Sequence, residues 1–141
     1  MIRFKKIKWK NFLSTGDQWT EVKLNDDGTT LIVGANGAGK STVLDAICFV
    51  LFNKPYRKIT KSQLVNTTNE KGTETEIEFE IGSKQYLVRR GIKPNIFDIE
   101  IDGNMRNKEA DDRVNQKVLE EQILKLNFKS FYGSVSNISK N

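Results

Sequence analysis

The stretch Leu31-Ile32-Val33-Gly34-Ala35-Asn36-Gly37-Ala38-Gly39-Lys40-Ser41-Thr42 decides the reading of this chain. Residues 34–41 match G-x-x-x-x-G-K-[ST], a glycine-rich turn whose backbone cradles phosphate. The setting fits, because a β-rich run at residues 29–33 leads in and helical spacing leads out. Val43, Ala46, Ile47, Val50 and Leu51 fall at i, i+3, i+4, i+7 and i+8. That spacing predicts a helix from Lys40 to Phe52 with one buried face, stopped by Asn53-Lys54-Pro55. Glycine admits φ > 0, so the backbone can wrap closely and point successive N–H groups inward as an anion nest, reinforced by the helix N-terminus. Lys40 is then placed to reach phosphate oxygens, and Ser41 to set its hydroxyl on Mg²⁺.

On the N-terminal side, Ile2 and Phe4, then Ile7 and Trp9, alternate with one change of face. This predicts a strand with a bulge near Lys5–Lys6. Thr15-Gly16-Asp17 is a turn, Trp19, Val22 and Leu24 lie in a second extended piece, and Asn25-Asp26-Asp27-Gly28 is a strong turn signal. Trp9 and Trp19 both fall in an apolar phase, which assigns them to the core. On the C-terminal side, residues 54–72 are polar and irregular, with one short helical turn around residues 62–65. From Thr73 to Ile81 the chain alternates, with Ile77, Phe79 and Ile81 on one face and Glu74, Glu76, Glu78 and Glu80 on the other. The glutamates read as a solvated face. Strands follow at residues 85–90 and 95–101, with a hairpin turn at Asp102-Gly103. Residues 108–126 return to helical spacing. The expected fold class is α/β with an antiparallel β group.

The chain has 141 residues, 37% of them hydrophobic and 29% charged, which suits a folded domain or part of one. One cysteine and no histidine exclude a disulfide framework and any chemistry that needs imidazole. The longest apolar run, Ala46 to Phe52, is far short of a bilayer span, and MIRFKKIKWK is neither a signal nor a transit segment. The expected location is intracellular. The net charge of +5 is one-sided: residues 1–62 carry 11 Lys and Arg against 5 Asp and Glu, and residues 63–141 carry 12 against 13. A polyanionic partner suits that imbalance. Arg3, Lys5, Lys6, Lys8 and Lys10, and a second cluster of Lys54, Arg57, Lys58 and Lys61, are the candidate phosphate contacts. Asp45, one turn after Ser41, reads either as a partner near the metal or as a solvated or capping carboxylate. Cys48 reads as core.

A phosphate loop alone leaves kinases, GTPases, helicases and transport-type ATPases open. Asn53-Lys54-Pro55-Tyr56 lacks the Asp of a GTPase base-reading motif, and a kinase lid built on Arg89-Arg90 is not suggested by the strands around it. The opening strand, Lys10-Asn11-Phe12-Leu13-Ser14, and the run from Leu31 to Ile47 together resemble the N-terminal ATPase half of SMC-like DNA-repair ATPases. The resemblance is nearest to SbcC-type subunits of nuclease–ATPase complexes. The stretches Leu51–Arg57, Gln63–Asn69 and Tyr86–Phe97 are similar to the phage recombination-endonuclease version in particular.

The resemblance implies a P-loop NTPase fold of the ABC/SMC head type, with ATP and Mg²⁺ as cofactors. Residues 1–141 would be the N-terminal part of such a head, with the phosphate loop and its helix at 29–53, a β-rich subdomain at 73–107 and a helix at 108–126. The coiled coil and C-terminal half would lie outside this chain, since no heptad run, signature motif or Walker B acid occurs in it. The implied partners are that C-terminal half, a second copy forming a homodimer of heads, an SbcD-like metallo-nuclease and double-stranded DNA, with no membrane. The implied location is the cytoplasm, of the host if the source is a phage. The implied activity is ATP hydrolysis that controls the nuclease during recombination and double-strand-break repair, incomplete in this fragment alone. A RecF-like gap-repair ATPase, or a nucleotide-switched DNA-binding module without turnover, are the alternatives.

Carried over residue by residue, the nucleotide contacts are Asn11, Ser14, Gly34, Asn36, Gly37, Ala38, Gly39, Lys40, Ser41 and Thr42, with Ser41 as metal ligand and Lys40 as the catalytic group. Two departures stand out. Many relatives carry a nucleotide-touching Arg where this chain has Leu13, which leaves Asn11 and Ser14 as the lead-in candidates. The family's metal-binding Gln has no counterpart between Phe128 and Asn141, where alignment places Ser139 near the position, so that ligand stays unassigned.

Overall fold

The computed structural model describes residues 2–13, 15–24, 37–66, 68–106 and 111–139, with the backbone alone at 37–41 and 134–139. The expected strand at residues 31–33 and the turn at 25–28 lie outside the described residues.

Six strands form one sheet: β1 (Ile2–Lys10), β2 (Thr20–Lys23), β3 (Thr73–Ile81), β4 (Lys84–Ile92), β5 (Ile96–Ile101) and β6 (Asn104–Met105). The order is β2-β1-β3-β4-β5-β6 and every neighbouring pair is antiparallel. The β-rich stretch expected at 73–107 holds β3 to β6. Its strands continue the sheet begun by β1, because β3 pairs with β1 along nearly its whole length, from Ile2↔Ile81 to Lys10↔Glu74. The register shifts between Phe4 and Lys6, which is the bulge that the change of face at Lys5–Lys6 requires. Asp102 and Gly103 turn β5 into β6 with φ of 51° and 82°, the paired positive values of a tight hairpin.

Helix α1 (Gly37–Phe52) lies across the inner face of β1, β3 and β4. Every residue from Val43 to Phe52 is buried. Sequence spacing predicted one buried face, but from Val43 to Phe52 the helix is enclosed on all sides, as suits its nearly unbroken apolar run. The sheet supplies Ile7, Trp9, Ile77, Phe79, Val88 and Ile99 to that core. On the other sides Phe49 meets Phe12, with ring centroids 6.2 Å apart, and Phe52 meets Phe128 and Phe131.

A 3-10 turn spans Lys61–Leu64, as expected near residues 62–65. Helix α2 (Asp112–Val118) is capped by the Asp111 carboxylate, which accepts from the Arg113 N–H at 2.7 Å. It widens into a π-helical segment at Leu119–Leu124, so the helix expected over 108–126 is shorter and irregular at its end. Helix α3 (Phe128–Ser139) closes the described chain.

Candidate functional site

Helix α1 begins at Gly37, inside the phosphate-loop motif, and carries no acidic residue in its first turn. Gly37, Ala38, Gly39, Lys40 and Ser41 thus form its N-terminal turns, where backbone N–H groups lack intrahelical acceptors and favour an anion. The side chains of Lys40 and Ser41 lie outside the described residues, as do Ser14, Gly34 and Asn36 entirely. Thr42 is half-buried on the next turn. Among the described residues no cluster of three His, Cys, Asp or Glu side chains can hold a metal ion.

The opposite end of α1 is anchored by charge from elsewhere. The helix has no basic residue in its last turn. Arg90 of β4 supplies it: the guanidinium Nε donates to the Val50 carbonyl at 3.2 Å, lies 3.7 Å over the Phe97 ring, and an Nη donates to Gln116. Gln116 in turn donates to the Leu51 carbonyl at 2.9 Å and to Glu120 at 2.7 Å. A cation at a helix C-terminus complements the macrodipole. Burial pushes the Arg90 pKa down, with Asp112 and Glu120 partly offsetting it. Arg90 is 4% exposed, and Arg89 faces Glu76, so neither can serve as the kinase lid considered above.

The lead-in loop is tied down just as tightly. Asn11 is buried, its side-chain amide donates to Asp17 at 2.7 Å and to the Gly72 carbonyl at 3.2 Å, and its side-chain oxygen accepts from Asn69 at 2.6 Å. Asn66 reaches back to the Leu13 and Thr15 carbonyls, and its own oxygen accepts from the N–H groups of Thr68 and Asn69. Leu13 donates its N–H to the Leu64 carbonyl at 2.7 Å. Asn11 and Leu13 both hold positive φ, 49° and 56°, a left-handed conformation that costs a side-chain-bearing residue on the order of 1–2 kcal/mol. The network overcomes that strain and presses Phe12 onto α1. Asn66 and Asn69 were not singled out by sequence reading, since two polar residues in an irregular stretch carry no local signal.

Asp45 departs from the solvated or capping reading. Its side chain is 0% exposed, and it neither lies on a solvated face nor caps its own helix. One carboxylate oxygen accepts from the N–H groups of Tyr56 and Arg57, both at 2.9 Å, and the other accepts from Arg57 Nε at 2.6 Å. It holds the loop after α1. Cys48 is buried in the core as expected.

The first-strand bases are not free either. Arg3 and Lys5 meet Glu80, Lys6 meets Glu78 and Glu21, Lys8 meets Glu76, and Lys10 meets Glu74. Antiparallel register sets these pairs opposite each other, so the expected solvated glutamate face is a ladder of cross-strand ion pairs. Trp9 is buried, but Trp19 is 40% exposed and lies under the ammonium groups of Lys8 and Lys10, at 4.6 and 5.1 Å. The core assignment of Trp19 is thereby corrected: it precedes β2 and shields cations on the outer face.

A family profile described as an AAA domain matches residues 6–140. The chain belongs to the AAA domain family. Within it, the chain is 40% identical over 129 residues to exonuclease subunit 2 of Enterobacteria phage T4, which covers 92% of this chain and 23% of that protein. The corresponding protein of Escherichia phage RB69 is 40% identical over 121 residues. The DNA double-strand break repair Rad50 ATPase of Sulfolobus acidocaldarius is 38% identical over 88 residues, 62% of this chain and 10% of that protein. The chain thus spans under a quarter of the length of the phage relatives. Among solved structures, one from work on ATP-driven dimerization and DNA-stimulated activation of SMC ATPases aligns with a TM-score of 0.63 at 22% identity, covering 99% of this chain and 92% of that one. The Pyrococcus furiosus Smc head domain with an extended coiled coil, bound to the C-terminal domain of ScpA, aligns at 0.54 and 20% identity, over 86% of this chain and 33% of that one. At these identities the likeness is one of fold. The AAA domain has the fold of SMC head lobes, the fold that the sequence resemblance implied, and it is similar in sequence to phage exonuclease subunits and Rad50 ATPases. No helix among the described residues is long and apolar enough to cross a membrane.

Proposed function

We propose that this chain is the nucleotide-binding N-terminal lobe of an ATP-hydrolysing head that serves DNA recombination and double-strand-break repair. The observation that carries the reading is the G-x-x-x-x-G-K-S motif running into the first turns of α1, with no acid in that turn. In this reading the N–H groups of residues 34–41 cradle the phosphates, and the Lys40 ammonium neutralises charge on the transferring group. Ser41 and Thr42 sit at the entry to the helix, with the Ser41 hydroxyl as metal ligand. Mg²⁺, when bound, supplies charge neutralisation at the phosphate oxygens. Asn11 has spent its amide on Asp17, Gly72 and Asn69, so its part is to position the lead-in loop, with Ser14 as the remaining candidate contact there.

Residues 1–141 form the N-terminal part of the head, and turnover needs groups that this chain does not carry. They come from a C-terminal half and a second copy. A metallo-nuclease subunit and double-stranded DNA complete the assembly. The names of the phage and Rad50 relatives support this reading. ATP titration with and without Mg²⁺ tests it. Lys40→Ala should abolish ATP binding with circular dichroism unchanged, and Ser41→Ala should weaken chiefly the Mg²⁺-dependent part. ATP binding by Lys40→Ala equal to the parent's refutes the assignment.

A further inference from the structure

With the β1 bases neutralised by glutamates, a second group of bases, Lys54, Lys58 and Lys61, gathers at the far end of α1. There the loop after α1 and the start of α3 enclose a cavity of about 580 Å³, within the roughly 300–1,000 Å³ typical of ligand clefts. Its cations are Lys54, Lys58 and Lys61. Arg57 also lines it but is held by Asp45. Among the described residues no carboxylate lines it. Burial and the nearby charge of Arg90 push the Lys61 pKa down, with Asp112 opposing.

The same cavity has an aromatic wall. Tyr56 and Tyr132 lie 4.9 Å apart at 31°, Phe128 and Tyr132 lie 5.8 Å apart, and Lys54 sits 5.4 Å above Phe128. Tyr132 is 36% exposed, which leaves ring surface open to a ligand. Asn53, at the left-handed end of α1 with φ of 63°, also lines the cavity, and its side-chain oxygen is buried with no hydrogen-bond partner. A 16-residue helix is about 24 Å long, so this cavity is remote from the phosphate loop at the other end and cannot be part of the nucleotide site.

Cations beside open aromatic faces are what an unpaired nucleotide needs: phosphates meet ammonium groups, and the base stacks on a ring. A duplex offers only its phosphates, because its bases are stacked on one another. We propose that the cleft between the loop after α1 and the start of α3 binds an unpaired nucleotide of single-stranded DNA, through stacking on Tyr132 and contacts to Lys54, Lys58 and Lys61. The inference rests on the DNA-repair reading only for taking the polyanion to be DNA.

The test is fluorescence anisotropy of the 141-residue chain with labelled oligo-dT of ~10 nucleotides, an abasic strand of the same length and a blunt duplex. Oligo-dT should bind at least about fivefold tighter than the abasic strand, the low end of one stacking contact. Tyr132→Ala should remove that advantage and Tyr132→Phe should retain it, while thermal melts monitor folding. Lys58→Ala should reduce the slope of log K against log salt by about 0.7. Equal binding of oligo-dT, abasic strand and duplex, an unchanged affinity in Tyr132→Ala, or no binding of oligo-dT overturns the proposal and assigns the cleft to an acidic protein segment or to further chain. ATP titration of the parent without oligonucleotide is run separately: failure there sinks the nucleotide reading, and failure with oligo-dT sinks this one.

Discussion

Replacing Asp45 by Ala separates a structural role for that carboxylate from one at a metal. Asp45 serves three donors, two of them backbone N–H groups. An orphaned buried N–H costs about 1–3 kcal/mol. Tyr56 and Arg57 sit near the surface, where water can partly replace the lost acceptor, so the low end applies to each. The ion pair adds about 1 kcal/mol at most, because the Arg57 side chain is 43% exposed. The total is about 3 kcal/mol. With an m-value of about 2 kcal/mol per M in urea, the unfolding midpoint should fall by about 1.5 M. Asp45→Asn keeps an oxygen for both amides and loses only the charge, so its midpoint should fall by about 0.5 M. Urea unfolding followed by circular dichroism, without nucleotide, measures both. Equal midpoints for the parent and Asp45→Ala, with loss confined to Mg²⁺-dependent ATP binding, would refute the loop-holding role.

Two further predictions follow from packing. Burial, reinforced by the charge of Asp45, pushes the Cys48 thiol pKa well up. The folded chain therefore keeps a proton that the unfolded chain releases near the ordinary thiol value of about 8.5, and stability should be intact below that pH and fall above it by up to about 1.4 kcal/mol per pH unit. Denaturation midpoints from pH 7 to 10 check the sign, and a Cys48→Ala variant should lose this component of the decline. Gly91→Ala should destabilise by about 1–3 kcal/mol. A Cβ there would stand 2.8 Å from the Thr73 carbonyl, across the β3–β4 pairing, with Ile96 and Glu74 close behind. A melting temperature equal to the parent's would show that the strands give way freely.

Much of the fold is legible locally. The glycine motif, the helical spacing from Val43 to Leu51, the bulge near Lys5 and the Asp102-Gly103 turn each rest on a few neighbouring residues, and periodicity or turn chemistry encodes them directly. What surrounds those elements is not local. No pattern in the sequence sets Glu74, Glu76, Glu78 and Glu80 against the bases of β1 some 70 residues earlier. Only antiparallel register does, and it turns a presumed polyanion surface into paired charge. Asp45 looks solvated by its spacing and is fully enclosed, because a loop 11 residues on folds over it. Asn66 and Arg90 carry no local signature, yet one fastens the lead-in loop and the other caps the helix that begins in the phosphate motif. The sequence by itself determined that a glycine-rich phosphate-loop motif runs into a helix N-terminus, since that pattern needs only contiguous residues. Which cations face carboxylates was decided by the tertiary structure, because pairing depends on what lies opposite in space.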